Sequence, residues 1–319
     1  MTPTKPATHN SKPKALSSKL TALSSKITLL LTLPLLSACA PPRGTAIIIG
    51  AKNFTEQVVL GELLAQQIEA TFAAEGHPQR VQRRFYLAGS YLCQQALVNA
   101  RIDGYVEYSG TALTAILKQP LPPTHDAHAV FATVARLYAE RYNVIAEPGL
   151  GFEDTFALVL RADDADRLHL RTISDAAAHS SGLRLGVGYE FQARPDGLPG
   201  LEAAYNLHFA PPRVMDLGLL YRALSAHQID LAAGNSTDGP IRALGLRTLV
   251  DDRHYFPPYE AIPLFRADSL ALHPEIALAT ARLAGQVTAA EMQSMNDAVD
   301  GRHQDVAEVV HQFRLTKGL

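Results

Sequence analysis

The chain has 319 residues, enough for one large or two modest domains with cores of their own. A net charge of −2 gives no support for a polyanion-binding surface, so no nucleic-acid partner is expected. With 47% apolar and 19% charged residues the composition is that of a folded soluble protein, apart from the first forty residues, and two cysteines leave no cysteine-built metal cluster.

Residues 1–26, MTPTKPATHNSKPKALSSKLTALSSK, carry five lysines and no acid. ITLLLTLPLLSAC follows, an apolar run too short and too abruptly ended for a spanning helix. Together they read as a secretory signal over residues 1–38. Leu36-Ser37-Ala38-Cys39 is similar to the bacterial lipobox, whose cysteine is diacylated and becomes the mature N-terminus. The alternative is a plain signal peptide with an incidental cysteine. On the lipobox reading, the protein is periplasmic and lipid-anchored to a bacterial membrane at Cys39, with residues 39–44 as a tether. Cys93 then has no intrachain partner. In SYLCQQALVNARI it sits at a helical-period apolar position and reads as a buried small hydrophobe.

From Thr45 onward short apolar runs alternate with helical stretches. TAIIIG at 45–50 is a β-branched strand, and Thr55–Phe72 is amphipathic at helical spacing. A strand is predicted over Val81–Leu87, a helix over Tyr91–Arg101 and a strand over Tyr105–Tyr108. Helices follow over Thr111–Lys118 and Ala127–Tyr142, separated by the proline-marked loop QPLPPTHD. After a strand at Asn143–Ala146, Pro148-Gly149-Leu150-Gly151 breaks the pattern.

The alternation then restarts. Strands are predicted at Thr155–Leu160, Leu183–Val187, Ile229–Ala233 and Leu246–Val250. Helices are predicted at Ser174–His179, Leu198–Tyr205 and Met215–Ala226, the last opened by Asp216. Almost everything from Ser269 on is helical. Such alternation argues for parallel α/β sheets covered on both faces, in two sets. Two lobes place ligands in the crevice between their facing strand ends.

Signals of catalysis are weak. There is no G-x-S-x-G elbow, P-loop or H-E-x-x-H. His125 and His128 lie in the proline-rich loop, Gly149-Leu150-Gly151 lacks a third glycine and a following helix, and Asp163-Asp164-Ala165-Asp166 reads as the acidic start of a short helix. Aromatic residues at strand ends are more suggestive: Tyr108 before Ser109-Gly110-Thr111, Phe156, and the cluster Tyr255-Phe256-Pro257-Pro258-Tyr259.

Six segments occur in order: AKNFTEQVVLGELLAQQIEA, DGYVEYSGTALTAIL, GFEDTFALVLR, YEFQARPDGLPGLEAAY, MDLGLLYRALSAHQIDL and NSTDGPIRALGLRTLVDDRHYFPPYEA. They resemble the substrate-binding proteins of osmoprotectant ABC transporters, the glycine betaine/carnitine/choline-binding group. The resemblance runs from about Ile47 to at least Ala261. It implies an α/β, periplasmic-binding-protein-like (type II) fold, with residues 45–151 plus 259–319 as lobe 1 and 152–258 as lobe 2. It implies a quaternary amine held in an aromatic cage, with no cofactor, no metal and no enzymatic activity. The partners implied are an ABC permease and its ATPase subunit, the membrane being reached through the lipid anchor, and a monomer is expected.

Carried over residue by residue, the resemblance makes Tyr108, Phe156 and Tyr259 cage rings, with Thr111 beside them and Asp154 close to Phe156. Phe156 keeps the ring of the family's tyrosine but lacks the hydroxyl. Arg194 becomes the carboxylate clamp, and Lys52 and Gln57 cleft-lining residues. Thr237 belongs to the TDG landmark, and a fourth cage tyrosine of relatives falls on Asn235. An amide has no π face, so the cage has three rings, or Tyr189 or Tyr255 substitutes, or the ligand is another betaine such as ergothioneine. Two further readings stay open: a ligand sensor without a transporter, and a two-lobed enzyme of the tetrapyrrole-building kind, which would be cytosolic and need a cofactor-bearing cysteine.

Overall fold

The structure, a computed structural model, describes residues 46–122 and 125–319. The secretory segment, Cys39, the tether and Thr45 lie outside the described residues, as do Pro123 and Thr124. The strands are β1 (Ile47–Gly50), β2 (Val81–Arg84), β3 (Gly104–Tyr108), β4 (Val144–Ala146), β5 (Phe156–Leu160), β6 (Leu185–Val187), β7 (Arg213–Val214), β8 (Leu231–Asn235), β9 (Arg247–Thr248) and β10 (Ala261–Arg266). They assemble into two five-stranded sheets, ordered β2-β1-β3-β10-β4 and β7-β6-β8-β5-β9. The chain builds β1 to β4, crosses to the second sheet through 147–155, and returns through 249–260 to insert β10 between β3 and β4. The two crossings run side by side, with Asp154 N donating to Tyr259 O at 3.1 Å and Ala261 N to Phe152 O at 3.1 Å.

Sequence alternation predicts parallel sheets, and both sheets are instead mixed. β10 runs antiparallel to β3 and β4, and β5 antiparallel to β8 and β9. Each of these two strands arrives from the other lobe, not from a crossover helix on its own sheet. The right-handed strand–helix–strand connection that enforces parallel pairing therefore does not act on it. The antiparallel strands bring their starts to the same sheet edge where their parallel neighbours end. Tyr108 pairs with Ala261, and Phe156 with Asn235. Register thus gathers the candidate residues.

Helix Thr55–Ala74 is buried along most of its length, between the first sheet and the C-terminal helices Glu275–Leu283, Ala289–Asp300 and Val306–Lys317. That double coverage explains why its apolar residues exceed one stripe. Helix Ala289–Asp300 starts on a capping box, Thr288 with Glu291, and meets the start of helix Gly239–Ala243 from the second lobe. The helix predicted over Thr111–Lys118 begins earlier, at Ser109–Thr111, and continues as a wider π-type stretch, Ala112–Ile116. Helices Tyr189–Ala193 and Gly239–Ala243 are too short for a period to reveal. Among the described residues no helix is long and apolar enough to cross a membrane.

Candidate functional site

The lobes meet through specific side chains. Arg194 Nη2 donates to Thr111 Oγ1 at 3.0 Å, Thr114 Oγ1 to Asp196 Oδ2 at 2.8 Å, and Asn296 Nδ2 to the Thr237 carbonyl at 2.9 Å. Between them lies a cavity of about 200 Å³. Lys52, Tyr108, Thr111, Asp154, Phe156, Arg194, Asn235 and Tyr259 line it, brought there by the strand ends of both sheets. Gln57 and Thr237 do not. Gln57 turns with the first turn of its helix into the core, near the Tyr108 hydroxyl but without a hydrogen bond of acceptable geometry. Thr237 faces away from the cavity and bonds Asp154 Oδ1 at 2.7 Å and Glu56 Oε2. Tyr189 lines the cavity; Tyr255 does not, and its hydroxyl donates to Pro195 O at 3.1 Å.

Aromatic rings form a connected wall. Phe156 sits edge-on to Phe191 at 4.9 Å and to Tyr259 at 5.5 Å between centroids, geometry that suits ring quadrupoles. Tyr108 stands on the first-lobe side, its hydroxyl donating to Glu56 Oε1 at 2.6 Å. Tyr259 donates to Asp196 Oδ2 at 2.8 Å. Burial, reinforced by the neighbouring carboxylates, pushes both phenols far up, so both are neutral donors at ordinary pH.

Both cations of the cavity wall are already engaged. Lys52 pairs with Glu107, which also accepts from the Tyr105 hydroxyl at 3.1 Å and from Tyr108 N at 2.8 Å. The Lys52 ammonium lies 4.7 Å from the Tyr108 ring centroid. Arg194 lays its guanidinium 4.9 Å from the Phe156 centroid and gives Nε and Nη2 to Asp196. Burial opposes the Arg194 charge, but Asp196 more than offsets it, so it stays protonated. Asp196 itself is held below the usual carboxylate range: burial works against ionisation, and Arg194 outweighs it. The expected carboxylate clamp is therefore half-spent on its own chain neighbour, leaving mainly Nη1, which is 3.9 Å from Glu190.

Carboxyl groups complete the wall. Asp154, Glu190 and Asp216 line the cavity; Asp216 also caps helix Leu217–Ser225 through Gly218 N at 2.9 Å. Burial and then the charge of Glu56 push Asp154 well above the usual carboxylate range. Sequence reasoning missed Glu56, Glu107, Asp196 and Asn296. Two of these adjoin singled-out residues, and none stands in a pattern that marks it.

The chain matches the family model described as the substrate binding domain of an ABC-type glycine betaine transport system over residues 45–314. The chain belongs to this family. Members similar to it include the carnitine transport binding protein of Listeria monocytogenes serotype 1/2a, 31% identical over 89% of this chain and 93% of that protein. An ergothioneine transport permease/ergothioneine binding protein of Helicobacter pylori (strain G27) is also 31% identical, over 80% of this chain. The chain spans 44% of that relative's length. A crystal structure of a glycine betaine/carnitine/choline ABC transporter superposes with a TM-score of 0.70 at 31% identity, covering 85% of this chain and 98% of that one. The family assignment makes this a substrate-binding component of an ABC transport system, with the type II binding-protein fold seen in its two sheets.

Proposed function

We propose that the protein captures a small quaternary amine of the glycine betaine, choline or carnitine kind in the inter-lobe cavity and hands it to an ABC permease driven by a separate ATPase subunit. The observation that carries this reading is the cavity wall. Its two cations are already paired, while Tyr108, Phe156, Tyr259, Phe191 and Tyr189 present rings alongside the carboxyl of Asp154. A quaternary ammonium has no N–H to donate, so rings that supply dispersion and a negative face are what recognise it, each contributing roughly 0.5–2 kcal/mol when desolvated. Arg194 Nη1 and Thr111 stand ready for a carboxylate at the ligand's other end. Nothing in this role requires catalysis: ligand bridging biases an open–closed equilibrium, and the closed form docks.

Lobe 1 comprises 45–151 and 259–319, and lobe 2 comprises 152–258. The protein acts outside the cytoplasm, tethered through a lipid on Cys39; incorporation of labelled fatty acid, lost in Cys39→Ser, is the expected result. A second reading, an ergothioneine-type betaine, is favoured by one residue. Asn235 lines the cavity where the resemblance implies a fourth cage ring, and an amide suits a polar ring substituent.

A thermal-shift panel of glycine betaine, choline, carnitine and ergothioneine separates the two. Ligand at one hundred times its Kd stabilises by about 2.7 kcal/mol, a readily measured shift. Calorimetry on Tyr108→Ala and Tyr259→Ala then tests the cage, each being expected to weaken binding at least tenfold. Unchanged affinity in both variants would remove the cage assignment.

A further inference from the structure

Behind the cage, three side chains from three parts of the chain share too few protons. The Thr237 hydroxyl, on the turn after β8, lies within hydrogen-bonding distance of Glu56 Oε2 and at 2.7 Å from Asp154 Oδ1. A hydroxyl has one proton and can satisfy one of these oxygens as donor. The other contact holds only if that carboxyl is itself protonated and donates to Thr237. The remaining neighbours supply no substitute. Asn296 Nδ2 donates to Glu56 Oε2 at 3.0 Å, the Tyr108 hydroxyl to Glu56 Oε1 at 2.6 Å, and Thr237 N to Asp154 Oδ1 at 3.2 Å. None of these relieves the contact between Thr237 and two carboxyls.

The charged surroundings agree. Glu56 belongs to the first turn of helix Thr55–Ala74, and Tyr108 faces it from β3 with the Lys52 ammonium over its ring, itself paired with Glu107. From the second lobe Asp238 faces it, bonded by the Tyr221 hydroxyl at 2.6 Å and by Asn235 N at 2.8 Å. Helix Ala289–Asp300 contributes Asn296 and Asp300, the latter influenced by His303. Arg222 and Glu56 both line a second cavity, beside the cage, but make no ion pair with each other among the described residues. Burial raises Glu56 to about 7, and burial with the charge of Glu56 raises Asp154, so both resist being ionised together.

We propose that Glu56 and Asp154 hold one proton between them through the Thr237 hydroxyl, that lobe closure on ligand takes this proton up, and that Glu56 thereby positions the Tyr108 ring. Glu56 belongs to the first lobe, Thr237 to the second and Asp154 to the crossing. Opening the lobes breaks the bridge and admits water, which lets both carboxyls ionise. The inference rests on the ligand-capture reading for its consequence and on the bridge geometry for its existence. Affinity then falls as pH rises through the closed-state titration, by at most about tenfold per pH unit for one linked proton.

Two isosteric variants test it. In Glu56→Gln or Asp154→Asn an amide supplies the missing hydrogen, so each alone removes the need for the proton. Infrared difference spectra, wild type minus either variant with both saturated by a compound that shifts the melt in the thermal-shift panel, are expected to show a protonated-carboxyl C=O band near neutral pH. A compound that binds without raising that band overturns the bridge, whereas a panel in which nothing binds removes the capture reading. Calorimetry with glycine betaine in two buffers of different ionisation enthalpy is expected to report proton uptake by the wild type and none by Glu56→Gln. Wild-type and variant spectra that coincide across pH 6–8 would overturn the proposal, as would pH-independent affinity in the wild type.

Discussion

Asn235 and Phe156 stand directly opposite each other across the β5–β8 ladder, so their side chains share one face at the cavity edge. Asn235→Tyr places a ring beside Phe156 without moving the backbone. If a missing ring limits ammonium binding, calorimetry should show glycine betaine bound more tightly by about 0.5–2 kcal/mol, roughly two- to thirtyfold. No gain, or the loss of a polar ligand that the wild type holds, would mark a pocket shaped for that other compound. Asp196 carries a different kind of weight. It neutralises Arg194 and accepts from Tyr259 and Thr114, so Asp196→Ala leaves a buried guanidinium with no carboxylate nearer than Glu190, at 3.9 Å. Denaturant unfolding should show a loss of about 3–5 kcal/mol. Arg194 was legible in the sequence as a charged residue in the segment resembling a carboxylate clamp. That it turns back on a carboxylate two positions along was not, because residue type says nothing about which partner the fold brings within reach.

Elements explain which candidates reached the cavity. Strand periods located the ends that carry Tyr108 and Phe156, whether the strand runs parallel or antiparallel, and stopped two residues short of the end that carries Asn235. Direction was misread because β5 and β10 look locally like their neighbours; only the path between lobes reverses them. Gln57 and Thr237 were placed by segment, and a segment lining a cleft still turns alternate residues away from it. Contact between elements sets a further expectation. A Cβ on Gly239, at the start of helix Gly239–Ala243, would lie 2.6 Å from Asp297 N and 2.8 Å from the Asn296 carbonyl carbon, both backbone atoms. Gly239→Ala therefore forces two helices from opposite lobes apart, an overpacking cost of about 1–3 kcal/mol that falls on the closed form. Ligand affinity should drop by about five- to 150-fold. A Cβ on Gly89, also at a lobe contact, would meet only the movable end of the Glu190 side chain. Gly89→Ala should bind nearly as the wild type does, and equal effects of the two substitutions would show that closure is not limited at helix Gly239–Ala243.

Across the whole molecule two sets of carboxyls pull stability in opposite directions with pH. Asp196 and Asp230 are held below the usual carboxylate range: burial opposes ionisation of Asp196 and Arg194 outweighs it, while Asp230 is bonded by Arg184. Their contribution is present above the unfolded value near about pH 4 and is lost as pH falls through the folded value. Glu56 and Asp238 are pushed up to about 7, and Asp154 is raised as well, in each case chiefly by burial. The folded state binds these protons more tightly than the unfolded chain. Their contribution is therefore complete below about pH 4 and is lost as pH rises through about 7. The two slopes meet near about pH 4, so these groups place the maximum on the acid side of neutrality, although the net charge of −2 alone would not suggest it. Because Glu56 meets Thr237 across the lobes, the alkaline slope belongs to the closed form. Thermal melts from pH 2 to 9 should therefore fall more steeply above pH 6 with saturating glycine betaine than without it. Glu56→Gln should flatten that limb and leave the acid limb, set by Asp196 and Asp230, where it is. A maximum at or above pH 8, or parallel alkaline limbs in the wild type and Glu56→Gln, would show that these buried carboxyls ionise freely in the folded protein.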